Sequence, residues 1–107
     1  MADMRRKGID MTISKKQDEK ELVIFIEGRL DSTTAPALDM EVKALNGVES
    51  LVFDLEKLEY ISSAGFRILL SAQKKMNKQG DMVVKNVRKD IYELFEVSGF
   101  NEILTIK

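Results

Sequence analysis

Between Met11 and Lys15 apolar and polar positions alternate, with Met11 and Ile13 set against Thr12 and Ser14. A two-residue period marks a strand with one buried face, and it predicts a first strand from about Ile9 to Lys15. The polar run Lys16-Gln17-Asp18-Glu19-Lys20 reads as a turn, and Leu22 to Glu27 as a second strand. There Leu22, Ile24 and Ile26 share one face, while Val23 and Phe25 share the other. With both faces apolar, this strand is expected in the middle of a sheet and covered on at least part of each side. Gly28 is expected to break it, leaving Arg29-Leu30-Asp31-Ser32-Thr33-Thr34 as a loop rich in helix-capping residues.

From Ala35 the period lengthens. Ala35, Leu38, Val42 and Leu45 recur at three- and four-residue steps, the spacing of one buried helical stripe. Pro36 falls in the first turn, where a missing N–H costs little, and Asn46-Gly47 is a fitting stop. Leu51 to Leu55 reads as a third strand, followed by a short polar link. A second helix follows Ser63 with Phe66, Leu69, Leu70 and Met76 on its apolar side, and Gly80 closes it. Lys74, Lys75 and Lys78 near its end complement the helix dipole. Met82 to Val87 gives a fourth strand. Asp90 is placed to cap a last short helix in which Ile91, Leu94 and Phe95 face inward, ended by Gly99, and Ile103 to Ile106 is expected to add an edge strand.

The order β-β-α-β-α-β-α-β predicts an α/β fold: a small mixed, mostly parallel sheet of four to five strands, with helices packed mainly on one face. The first two strands, joined by a short turn, should be antiparallel. Residues 1–107 read as a single domain, with residues 1–8 a frayed N-terminal segment.

Composition narrows the chemistry. The 107 residues are 44% hydrophobic, enough for one core, and 17 basic against 18 acidic residues leave a net charge of −1. That balance gives no global reason to expect nucleic acid or an anionic membrane as partner. The absence of cysteine and histidine removes disulfides, thiolate nucleophiles, the usual zinc ligands and the commonest general base. No metal or cofactor is expected. With no membrane-length apolar stretch and no signal-peptide pattern, a cytoplasmic location is expected.

What remains is a pair of hydroxyls where a loop turns into a helix. Ser62 and Ser63 precede Ala64-Gly65, and the unpaired N–H groups and dipole of a helix start favour negative charge there. One serine could cap the helix and the other carry a phosphate. A hydrolase reading fails three tests. Ser62-Ser63-Ala64-Gly65 lacks a Gly-x-Ser-x-Gly elbow, no histidine exists, and Lys74 or Lys75 lies about three turns away. The chain is expected not to be an enzyme.

Three segments together resemble a known family: Glu27-Gly28-Arg29-Leu30-Asp31, then Val52-Phe53-Asp54-Leu55 through Gly65-Phe66-Arg67-Ile68-Leu69-Leu70, and Leu94-Phe95-Glu96-Val97-Ser98-Gly99-Phe100. Over about Ile9 to Ile106 the chain resembles STAS domains, and most of all the short bacterial anti-sigma factor antagonists. The resemblance implies partner switching. An unphosphorylated antagonist binds an anti-sigma factor with serine kinase activity, the kinase then phosphorylates it, and a serine phosphatase restores it. It puts the acceptor on Ser63. The family's aspartate position is held by Ser62, which leaves Ser62 as the alternative acceptor. It also implies partner contacts through Asp31, Ser32 and Thr33 and through Ser62, Ser63, Ala64 and Gly65, with Gly65 allowing close backbone approach. A rival implication is a constitutive adaptor in a larger assembly, such as a lipid-transport complex, with no phosphorylation switch.

Overall fold

The computed structural model describes residues 11–107, so the frayed segment 1–8 and the predicted strand start at Ile9 lie outside the described residues. Strand β1 (Met11–Asp18) and strand β2 (Glu21–Leu30) form an antiparallel hairpin, from Met11 opposite Gly28 to Asp18 opposite Glu21. The turn is therefore only Glu19-Lys20, and β1 outruns its predicted end at Lys15. Lys16, Gln17 and Asp18 are exposed, and on the outer strand of a sheet polar side chains need no buried face.

Leu22, Ile24 and Ile26 of β2 are buried as expected, but Phe25 opposite them is 38% exposed and Val23 only half-buried. Helices cover one face, so the expectation of cover on both sides of β2 is corrected. Gly28 does not end the strand. Its φ of 99°, a region that favours glycine, accompanies a shift of register between Gly28 and Arg29, after which β2 runs on to Leu30.

The second half of β2 exists to pair with a strand the hydropathy pattern did not reveal. Helix α1 (Ala35–Lys43) leads to β3 (Ser50–Asp54), which pairs in parallel with the first half of β2. The presumed polar link then contains β4 (Leu58–Ile61), parallel to the second half of β2. Four residues with Glu59 and Tyr60 in the middle are too few to display a period. Helix α2 (Ser63–Met76), β5 (Asp81–Lys85) and helix α3 (Lys89–Ser98) complete the chain, giving the order β1-β2-β3-β5 with β4 beside β2. The result is the expected α/β fold, a five-stranded, mostly parallel mixed sheet with three helices.

Further details differ from expectation. Helix α1 stops at Lys43 rather than at Asn46-Gly47, although Leu45 is still buried in the turn beyond it. The expected last strand shrinks to one bridge, Ile106 with Val84, after a 3-10 turn at Phe100–Glu102. Leu94 is 40% exposed rather than inward, because Ile91 and Phe95, four apart, already form the buried seam of α3. No helix among the described residues is long and apolar enough to cross a membrane.

Candidate functional site

Parallel pairing of β2 and β4 decides which loops meet. Arg29 lies opposite Tyr60 and Leu30 opposite Ile61, and the Ser62 N–H donates to the Leu30 carbonyl at 2.9 Å. The chain therefore leaves two neighbouring strands side by side, as Asp31 from one and Ser62 from the other. Adjacent strands run about 4.8 Å apart, so the two loops share one surface. Clefts beyond the carboxyl ends of parallel strands are where α/β sheets place their sites.

The Asp31 loop is built by its own side chains. One carboxylate oxygen of Asp31 accepts from the Thr33 N–H at 3.0 Å and the Thr34 N–H at 3.2 Å. Thr34 closes the loop: its hydroxyl donates to the Arg29 carbonyl at 2.8 Å and accepts from the Asp31 N–H at 2.9 Å. It is the buried polar residue among the described ones, and the sequence reading did not single it out. Its signal was there in Asp31-Ser32-Thr33-Thr34, where an aspartate two and three residues ahead of threonine amides favours a local side-chain turn. Partial desolvation acts to raise the Asp31 carboxyl. The amides of Thr33 and Thr34, the Arg29 guanidinium and the Thr34 hydroxyl outweigh it, holding the pKa below the ordinary carboxylate value. Arg29 sits 3.6 Å from Asp31 and lies over the Tyr60 ring at 4.2 Å. Ser32 and Thr33 present their side chains to solvent.

The second loop separates the two serines. Ser62 occupies the N-cap position of α2 in extended backbone, yet its side chain makes no capping bond. Its Oγ is buried and has no hydrogen-bond partner. Ser63, the first helical residue, is exposed, and Ala64 is half-buried. Adjacent positions that no sequence pattern separates thus differ fully in access. Gly65 is buried, and a Cβ there would lie 2.7 Å from Leu30 Cγ and 2.8 Å from Ile61 Cγ1. Its missing side chain admits the ends of β2 and β4 to the helix.

Behind this turn, Phe66 meets Phe95 at 5.1 Å and Phe100 at 4.7 Å between ring centroids, both in tilted or edge-on geometry favourable for aromatic pairs. The three segments that carried the family resemblance therefore converge. The first supplies the Asp31 loop, the second the serines, and the third the aromatic brace under the first turn of α2.

The family model described as the STAS domain matches residues 12–107. BtrV of Bordetella bronchiseptica is 32% identical over 99 residues, covering 90% of this chain and 85% of its own length. An anti-sigma-B factor antagonist of Listeria monocytogenes is 28% identical over 96 residues, covering 87% and 84%. Among solved structures, the anti-sigma factor antagonist SpoIIAA in its unphosphorylated form superposes with a TM-score of 0.71 at 14% identity, covering 90% of this chain and 87% of its own. SpoIIAA of Bacillus in its phosphorylated form gives 0.71 at 16% identity, covering 90% and 91%.

Proposed function

The chain belongs to the STAS domain family, and we propose that within it the protein is a cytoplasmic anti-sigma factor antagonist switched by phosphorylation of Ser63. An antagonist of this kind acts by binding another protein, not by catalysis. In its unmodified form it binds an anti-sigma factor with serine kinase activity and so frees a sigma factor. The kinase transfers a phosphoryl group to Ser63, the complex parts, and a serine phosphatase resets the antagonist. Asp31, Ser32, Thr33 and the Ser62–Ala64 turn form the contact surface.

The observation that carries this reading is the difference between the two serines. Ser63 is exposed on the first turn of α2, whereas the Ser62 hydroxyl is buried. A kinase must reach the oxygen it modifies, so Ser63 is the acceptor. The position also tolerates the product. A phosphoryl group adds about −1.5 to −2 charges at neutral pH, and a helix start favours negative charge. The fold should therefore survive modification while a docked partner would not. Phosphosite mapping by mass spectrometry, on protein purified from its own cells under growth and stress, tests the assignment. Phosphate on Ser63 that varies with condition is the expected result. An unmodified Ser63 under every condition, in a protein held in a stable complex, would leave the constitutive adaptor as the better account.

A further inference from the structure

We propose that Arg67 is the counter-charge of the phosphoryl group on Ser63, so that modification reverses the sign of the charge this helix end offers instead of only adding a negative one. The inference rests on the reading of Ser63 as the acceptor and extends it to the regulation of that site. Ser63 and Arg67 are the first and fifth residues of α2, and residues four apart on a helix are neighbours, about 5–6 Å between Cβ atoms. Both are exposed. Phe66 between them turns inward onto Phe95 and Phe100, which fixes the rotation of the turn and keeps Ser63 and Arg67 outward.

Arg67 does no visible structural work. Among the described residues it takes part in no ion pair and no side-chain hydrogen bond, whereas Arg29 is engaged with both Asp31 and Tyr60. The Asp31 carboxylate at this end is already held by the Thr33 and Thr34 amides and by Arg29. The first turn of α2 contains no acidic residue, so a phosphoryl group would be its first anion. Anion at i with cation at i+4 is the favourable order, since each charge then lies toward the dipole end that suits it. A guanidinium also matches phosphate oxygens in a bidentate fork.

The consequence is arithmetic. Before modification this face carries the +1 of Arg67. Afterwards a phosphate of about −1.5 to −2 leaves a sum of about −0.5 to −1. An acidic partner surface is attracted by the first state and repelled by the second.

The test is a phosphorus-31 NMR pH titration of the full chain carrying phosphoserine installed at residue 63 during translation, in wild type, Arg67→Gln and Arg67→Lys backgrounds. A cation beside the phosphate favours the dianion. Arg67→Gln should therefore raise the second pKa of the phosphate by about 0.3 unit or more, and Arg67→Lys should restore most of that shift. Equal pKa values in wild type and Arg67→Gln, with equal thermal midpoints, would overturn the proposal. Because no kinase installs the phosphate, the titration decides on Arg67 independently of cellular phosphorylation. A Ser63 found unmodified in cells counts against the switch alone.

Discussion

The two ends of the sheet treat their polar groups in opposite ways. At the end where β2, β3 and β5 begin, polar groups tie neighbouring segments to one another, although Gln73 Oε1 nearby is buried without a partner. The Gln79 amide donates to the Leu45 carbonyl at 2.5 Å and the Val48 carbonyl at 2.6 Å. The Glu49 and Ser50 N–H groups both donate to the Lys20 carbonyl, and Asp81 N–H donates to Glu49. At the opposite end, the Asp31 and Thr34 side chains bond only within residues 29–34. Ser32, Thr33, Ser63 and Arg67 point outward with nothing in the fold to hold, and Ser62 Oγ goes without a partner. A side chain that stabilises the fold cannot be freely modified or docked against. The end that leaves its polar groups unused is the one available for regulation.

That contrast can be broken by substitution. The largest effect on stability is expected from Gly80→Ala, because a Cβ there would collide with the Glu49 backbone carbonyl, which cannot swing aside as the end of a flexible side chain could. A loss of about 3 kcal/mol by chemical denaturation is expected, at the top of the overpacking range, with partner affinity intact for whatever fraction stays folded. Gly65→Ala should cost about 2 kcal/mol, since the Cβ would press on Leu30 Cγ and Ile61 Cγ1, both in buried side chains that must move to receive it but are not backbone. This variant alone should also disturb binding, because the collision tilts the helix that carries Ser63. An unchanged stability would mean that the helix does not rest on these strand ends as described.

Ser63→Glu should behave in the reverse manner. Affinity for the anti-sigma partner, measured by calorimetry, should fall at least tenfold, about 1.4 kcal/mol, while the thermal midpoint barely moves. Ser63→Ala should bind normally and accept no phosphate. Normal binding by Ser63→Glu would remove the switch and favour an adaptor. The smallest effect concerns acid. The Asp31 pKa is lowered in the folded chain, so its contribution is present above the ordinary carboxylate value of about 3.9 and is lost as pH falls through the lower folded value. Amide exchange or chemical shifts of Thr33 and Thr34 should report a loosened loop as pH falls below the ordinary carboxylate value and through the lower folded value of Asp31.

Much of the fold was legible from local pattern. Leu22, Ile24 and Ile26, then Ala35, Leu38 and Val42, carry their periods plainly, and each run lies in the element its period predicts. The misreadings fall where a tertiary partner overrides local preference. Gly28 has the chemistry of a strand end, but β4 lies alongside to receive Arg29 and Leu30, so the strand bends and continues. Leu58–Ile61 has too little period to announce itself and is a strand only because β2 supplies its hydrogen bonds.

The candidate site divides along the same line. That Ser62 and Ser63 stand at a helix start, and that Asp31 opens a self-bonded loop, follows from residue type and order, because capping and turn chemistry act over three or four residues. Which serine is reachable, why Gly65 has no side chain, and why Phe95 and Phe100 matter to a turn some thirty residues earlier were decided by packing. Burial and contact are properties of neighbours distant in the chain, and only the folded arrangement of β2, β4, α2 and α3 brings those neighbours together.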